Sequence, residues 1–219
     1  MTRRLSDMPN WTYLLQEFEA LYRFGSAGGS KAIRSHRKRV REILAGIIDA
    51  DPPLLDREPA SKPVVAHFGR AIDLGKRSVM ANFSRALERL QEELTWEYGY
   101  VRVPKTLERK YAYCEVLGPK GPVKSDALIL GFVLFAPNTT YPQHSHKGIE
   151  ESYLSIAGAW SENDAAVYAP GSLILNKAEQ EHRITIGETE PCLLAYAWVG
   201  PSERLASPGM TFSATRKPK

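Results

Sequence analysis

Three of the chain's five histidines, His144, His146 and His182, lie in its second half, and the first two are separated by one residue. A neutral imidazole is the commonest side-chain ligand for a metal ion. Alternate residues of an extended strand point to one face, so His144 and His146 can aim at a single point. Glu151 and Tyr153 are likewise two apart and share a face, while Ser152, Leu154 and Ile156 take the other. Two imidazoles, a carboxylate and a later imidazole form a nitrogen and oxygen set suited to one divalent transition metal. The set does not choose among zinc, manganese, iron, nickel and cobalt. His36, in a basic run, and His67, among apolar residues, are assigned no function.

Two kinds of element must position these groups. The first hundred residues read as helical. Asn10 can cap a helix over 11–24, with Leu14, Leu15, Phe18, Leu21 and Tyr22 along one side. A turn at Gly25-Ser26-Ala27-Gly28-Gly29-Ser30 ends it, and a second helix over 31–50 carries Ile33, Val40, Ile43, Leu44, Ile47 and Ile48. Asp51-Pro52-Pro53 stops that helix. Helical stretches over 64–74 and 78–94 follow, the latter with Met80, Phe83, Leu87 and Leu90 at spacings of three and four. After Thr95 short apolar runs alternate with Gly and Pro turns. Strands are predicted at 111–117, 127–136, 152–157, 165–168, 172–175, 183–186 and 193–199. Many short strands at this spacing indicate a sandwich or barrel. The fold class is therefore α+β, with a helical region over 1–98 and a β-barrel over 99–219.

The chain has 219 residues and a formal net charge of +4. The positive excess is local: residues 31–41 hold Lys31, Arg34, Arg37, Lys38, Arg39 and Arg41 without an acid, so the remainder is net acidic. No aromatic residue interleaves with these charges and no nucleic-acid motif follows them. They are read as the solvated face of a helix, and no nucleic-acid partner is expected. No apolar run is long enough to span a membrane, and Arg3 and Arg4 precede no apolar segment, so a cytoplasmic location is expected. Cys114 and Cys192 are read as free thiols of a reducing compartment, with a single bridge as the alternative.

The spacing His144-x-His146-x4-Glu151-x6-Gly158 resembles the first motif of the cupin superfamily. Pro170-Gly171 followed by Leu173, Leu175 and His182 is similar to the second, although the usual Asn after the last histidine is replaced by Arg183. Glu150 is a rival carboxylate, because a three-residue spacer also occurs in cupins. Glu151 is preferred because it shares a face with Tyr153 and gives the six-residue gap to Gly158. Tyr141, three residues before His144, and Tyr153, two after Glu151, extend the likeness. With the helical N-terminal part, the chain resembles the dimethylsulfoniopropionate (DMSP) lyases of the cupin superfamily, DddL type.

That resemblance implies a metal-dependent lyase that cleaves DMSP to dimethyl sulfide and acrylate by β-elimination. It implies His144, His146, Glu151 and His182 as ligands of one divalent metal, Tyr141 as catalytic base and Tyr153 as a second tyrosine near the metal. Family members differ at the position of Glu151, where some carry histidine. A phenolate favoured by a nearby cation would give a rate rising with pH. The sulfonium suits aromatic faces; Tyr153 and Trp160 are the expected substrate contacts, whereas core packing is the reading for Trp198 and Tyr168. The alternatives are a cupin dioxygenase or isomerase acting on a small carboxylate, and a non-enzymatic cupin sensor. A homodimer formed through the helical extension is the macromolecular partner considered.

Overall fold

The computed structural model describes residues 3–24, 29–100 and 103–209; residues 25–28 of the predicted turn over 25–30 lie outside them. Helix α1 spans Pro9–Phe24 and α2 spans Lys31–Ala50. Pro9, rather than a cap at Asn10, opens α1, because proline's missing N–H has no intrahelical partner in a first turn. Ser30 caps α2, its Oγ accepting from the Ile33 N–H. The expected third helix begins as a 3-10 turn, Pro63–His67, and continues as α3, Phe68–Lys76. The expected helix over 78–94 is shorter. Helix α4 covers Ala81–Glu88, and a 3-10 turn at Gln91–Glu93 follows. Ser78 delays its start: its Oγ donates to the Gly75 carbonyl (2.8 Å) and accepts from the Met80 N–H (3.0 Å), a local turn that competes with helix.

A short helix α5, Lys105–Glu108, leads into ten strands: β1 Tyr111–Gly118, β2 Val123–Lys124, β3 Ile129–Phe135, β4 Thr140–His144, β5 Glu150–Ala157, β6 Trp160–Glu162, β7 Val167–Tyr168, β8 Leu173–Asn176, β9 His182–Ile186 and β10 Cys192–Val199. Strands β2 and β6 are additional to those predicted, and β4 is expected only from the strand reading of His144 and His146. Helix α6, Ser202–Ala206, follows β10. Six strands form one sheet in the order β2-β1-β3-β10-β5-β8, and four form a second, β4-β9-β6-β7.

The six-stranded sheet is buried on both faces, which is why β3 and β10 read as continuous apolar runs rather than alternating ones. Its inner face places Ile129, Val133, Phe135, Tyr153, Leu194, Tyr196 and Trp198 against Tyr141, Trp160, Ile184 and Ile186 of the smaller sheet. Its outer face presents Leu130, Phe132, Leu134, Leu154, Ile156, Leu193 and Ala195 to the helices. Phe18 of α1 meets Phe83 of α4 and Phe132 of β3, with ring centroids 4.8 and 5.5 Å away. The helical region thus covers the chain's own barrel, with a shared core. Cys114 joins the outer core and Cys192 the inner one, so the sheet separates the two buried, free thiols.

Two glycines are required by close approach. Gly158, which ends β5, has φ +80°, and a Cβ there would stand 2.3 Å from the Pro191 carbonyl oxygen. At Gly131, in β3, a Cβ would lie 2.5 Å from Tyr196 Oη and 2.2 Å from the Cys114 carbonyl oxygen, so the Tyr196 phenol crosses β3 at the one position there without a side chain.

The outer face of β5 also carries a polar seam. Ser152 is fully buried, and its Oγ meets Tyr22 Oη of α1 at 2.7 Å and His36 Nε2 of α2 at 2.9 Å. His36 Nδ1 lies 3.2 Å from Glu150 Oε2, which Arg39 also binds. Lys31, Arg34 and Lys38 are exposed as expected, but Arg37 is buried and Arg39 is paired. Replacing Ser152 with alanine leaves two buried polar atoms without this partner, at a cost of about 2–4 kcal/mol. The expected fall in Tm is roughly 4–16 °C for a chain of this size. An unchanged melting curve would show that the seam contributes nothing.

Candidate metal centre

Strand β4 supplies the first two groups through an irregularity in its pairing with β9. Tyr141 pairs with Ile184 and His144 with His182, so three steps along β4 match two along β9. This bulge puts Tyr141 and His144 on one face although their spacing is odd. Both are buried, at 3% and 1% exposure. The predicted strand over His144 and His146 stops at His144, and His146 lies in the loop that follows. That loop is pinned to the one before β9: the Glu179 N–H donates to the His146 carbonyl (3.0 Å), and the Gly148 N–H donates to Glu179 Oε1 (2.9 Å). Convergence of the two histidines therefore comes from a bulge and a tethered loop rather than from strand alternation.

Strand β9 supplies His182, and β5 supplies Glu151 and Tyr153 from its inner face. One ligating atom from each of His144, His146, Glu151 and His182 can be chosen such that all lie within 4.8 Å of one another. Glu150 takes the opposite face and is held by His36 and Arg39, so it is turned away from this cluster.

The hydrogen bonds at the rear of the cluster fix the imidazoles. His144 Nδ1 donates to the Pro142 carbonyl (2.9 Å), and His182 Nδ1 donates to the Gln180 carbonyl (3.1 Å). In both rings this leaves Nε2 as the lone-pair nitrogen that faces the cluster. Trp198 donates its indole N–H to Glu151 Oε1 at 2.6 Å, leaving Oε2 as the inward oxygen. Oε2 is 3.0 Å from His182 Nε2 and 3.3 Å from His146 Nε2, without hydrogen-bond geometry to either. Ligands about 2.1 Å from a shared ion lie about 3.0–3.4 Å apart for angles between 90° and tetrahedral. His144 Nε2, both ring nitrogens of His146, Glu151 Oε2 and His182 Nε2 are all buried without a hydrogen-bond partner. Buried polar atoms are rarely left so, and a divalent cation is the species this donor set accommodates.

The electrostatics agree with that fit. Burial, assisted by His182, pushes the His144 imidazole down to about 3, so it stays neutral and keeps its lone pair. Burial raises the Glu151 carboxyl, but His146 and His182 outweigh it and hold the group well below the usual carboxylate range. Burial lowers His182, and the Glu151 carboxylate outweighs it and draws the ring upward. The cluster carries one buried negative charge that demands a positive neighbour.

A pocket of about 650 Å³, mouth included, opens beside Glu151 and is lined by Tyr111, Tyr113, Tyr141, Tyr153, Tyr196 and Trp198, with Glu115 and Lys120 among its polar members. Tyr141 sets its ring edge-on to His144 at 4.7 Å, and its Oη donates to Tyr100 Oη at 2.7 Å. Tyr153 stands edge-on to His182 at 6.0 Å. Burial and the neighbouring Tyr111, Tyr100 and Tyr153 raise the Tyr141 phenol well above its ordinary value. Burial and the Glu151 carboxylate do the same to Tyr153. The two tyrosines thus differ: the Glu151 anion acts on Tyr153, whereas the neighbours that raise Tyr141 most are other tyrosines.

Trp160 departs from expectation. It lies outside the pocket lining, donates its indole N–H to Ser155 Oγ (2.6 Å) and backs Tyr153 edge-on at 5.9 Å. Tyr168 packs on Trp160, with centroids 4.9 Å apart. Trp198 packs in the inner core as expected, and it also lines the pocket and orients Glu151. Tyr100, Tyr111, Tyr113, Glu115 and Tyr196 are site neighbours that motif spacing does not reveal.

A sequence profile of the DMSP lyases matches residues 35–194. A protein of Cereibacter sphaeroides assigned as a DddL-type DMSP lyase is 67% identical over 214 residues, covering 98% of this chain and 92% of its own. Among solved structures, a chain from the crystal structures of the DMSP lyases RdDddP and RnDddQII superposes with a TM-score of 0.67 at 19% identity, covering 94% of this chain and 98% of its own. The crystal structure of DddQ from Ruegeria pomeroyi DSS-3 gives a TM-score of 0.65 at 22% identity, covering 88% of this chain and 92% of its own. These two likenesses concern the fold, which is α+β with two sheets packed as a barrel and a helical N-terminal part. Among the described residues no helix is long and apolar enough to cross a membrane.

Proposed function

The chain belongs to the dimethylsulfoniopropionate lyase family, and from that premise we propose that it cleaves DMSP into dimethyl sulfide and acrylate by a metal-assisted, base-initiated β-elimination. It is a carbon–sulfur lyase, and the chemistry its residues must perform follows from the substrate. The sulfonium is already a good leaving group. The difficult step is loss of a weakly acidic proton from the carbon next to the carboxylate.

In this reading His144, His146, Glu151 and His182 hold the metal. A divalent ion there supplies a Lewis-acid contact for the substrate carboxylate and a positive charge that favours a nearby phenolate. Tyr141 is the base: its Oη takes the proton from the carbon next to the carboxylate. The freed electron pair becomes the carbon–carbon double bond, and the carbon–sulfur bond breaks with its pair passing to sulfur. Neutral dimethyl sulfide leaves and acrylate remains. Tyr100, hydrogen-bonded to Tyr141, positions the Tyr141 oxygen, which is left as a neutral phenol and returns its proton to solvent before the next turnover. Tyr153, beside the Glu151 carboxylate, keeps its proton and steadies the ligand and the substrate. The aromatic lining excludes water and presents π faces to the sulfonium, each worth roughly 0.5–2 kcal/mol.

The observation that carries this reading is the convergence of one ligating atom from each of His144, His146, Glu151 and His182 to within 4.8 Å of one another, without hydrogen-bond partners and beside the Tyr141 ring. The test is headspace detection of dimethyl sulfide from metal-loaded protein and DMSP without oxygen. Release at an undiminished rate is expected. An oxygen requirement would point to a dioxygenase, and no volatile product at all would remove the substrate assignment.

A further inference from the structure

Beyond the metal cluster, the pocket contains a second acid. Apart from Glu151, Glu115 is the one acidic residue in its described lining. Glu115 lies on the inward face of β1, two residues from Tyr113. Its row across the sheet runs through Gly131 of β3 to Tyr196 of β10 and Tyr153 of β5. Because Gly131 has no side chain, the Tyr196 phenol lies across β3, the strand that separates β10 from β1. A carboxylate and two phenol rings therefore share the end of the pocket on the β1 side, while the metal ligands come from β4, β5, β9 and the loop after β4.

This arrangement matches the shape of the charge on the substrate class. A carboxylate belongs at the metal end, and a soft cation belongs where π faces and an anion meet. Resting on the DMSP reading above, we propose that Glu115, with the rings of Tyr113 and Tyr196, receives the onium head and selects cationic over neutral carboxylates.

Glu115 also has a structural duty, since its Oε1 accepts the Lys120 N–H at 2.6 Å and so ties down the turn after β1. Burial pushes its carboxyl above the ordinary range, against the backbone N–H groups of Lys120 and Gly121 and the charges of Lys120 and Lys124. Lys120 is exposed, so its ammonium is hydrated at the mouth, whereas Glu115 is half-buried. A half-buried carboxylate attracts a cation across several ångströms more strongly than one in open water.

Glu115→Gln separates the two duties, because the amide oxygen still accepts the Lys120 N–H while the charge is gone. The full-length, metal-loaded protein is assayed with DMSP, and its binding of two unreactive propionates is measured by calorimetry. One propionate is capped by trimethylammonium, the other by the uncharged tert-butyl group. In the variant KM is expected to rise on the order of tenfold with kcat changed less than about threefold. Affinity for the ammonium compound should fall by a similar factor, and that for the tert-butyl compound should hold. Equal losses for both compounds would assign Glu115 a structural role only, and no change in either would overturn the proposal. Should the variant not fold, the parent protein decides: a preference of about tenfold for the cation supports the subsite, and equal binding refutes it. Cation preference in a parent that releases no dimethyl sulfide would remove the reaction and leave the subsite standing.

Discussion

Tyr141→Phe is expected to lower dimethyl sulfide release by about 10²–10⁴-fold, the range that a positioned acid or base supplies. The change removes one oxygen from a ring that is otherwise packed. That ring touches Tyr111, Phe135 and His144 at centroid distances of 4.8, 5.4 and 4.7 Å, and phenylalanine keeps those contacts. Metal content should stay at that of the parent, and the loss should fall on kcat rather than KM. Stability should drop by about 1 kcal/mol for the hydrogen bond to Tyr100. Tyr153→Phe is the control. Glu151 beside it opposes a phenolate, so its loss should weaken catalysis less than that of Tyr141. Kinetics and elemental analysis on both variants check this. A Tyr141→Phe enzyme within a few-fold of the parent, or a larger effect at Tyr153, would move the base elsewhere.

The second large effect is expected at Glu151, the one carboxylate of the metal cluster. Glu151→Gln preserves size and an acceptor for the Trp198 indole but removes the negative charge. Groups that merely orient metal ligands cost 10–100-fold in affinity or activity when mutated, so the carboxylate ligand itself should cost at least about 10²-fold in both. Stability should move in two directions. The parent should gain melting temperature on metal loading and lose it on chelation, because ion binding to the folded state is linked to its stability. Chelated parent keeps a buried charge whose cation is missing, whereas the glutamine variant does not. The variant should therefore melt above the chelated parent and respond little to chelator. Thermal scans of both proteins with and without metal test this, and equal responses to chelator would contradict Glu151 as a ligand.

The sequence made some of this architecture readable and concealed the rest for physical reasons. The grouping of His144, His146, Glu151 and His182 was legible because ligand types stood at spacings that only a few backbone paths satisfy. Glu151 could be separated from Glu150 by strand parity alone, and the structure turns Glu150 toward α2. Parity fails for Tyr141, whose odd spacing from His144 is corrected by a bulge visible only in the pairing of β4 with β9. It also fails for Trp198. Strand β10 is apolar on both faces, so nothing in Leu193–Val199 marks which face meets the barrel interior. The same ambiguity favoured Trp160, which lies behind Tyr153 rather than at the pocket wall. Tyr100, Tyr111, Glu115 and Tyr196 come together from distant segments through sheet order, which no local spacing encodes. Strands β2 and β6 were missed because two- and three-residue strands have no period to detect. Helix α2 was read within its observed bounds because Ser30 caps it and Asp51-Pro52 ends it, whereas the side-chain turn at Ser78 broke an apolar periodicity that otherwise continued.

One ion held by four side chains is the premise of the proposed chemistry, and anomalous diffraction at the absorption edge of the bound metal measures that directly. Crystals of metal-loaded protein should show a single strong anomalous peak enclosed by His144 Nε2, His146, Glu151 Oε2 and His182 Nε2, with Tyr141 beside it. Active protein whose anomalous signal lies elsewhere, or which binds no metal while it still releases dimethyl sulfide, would contradict it.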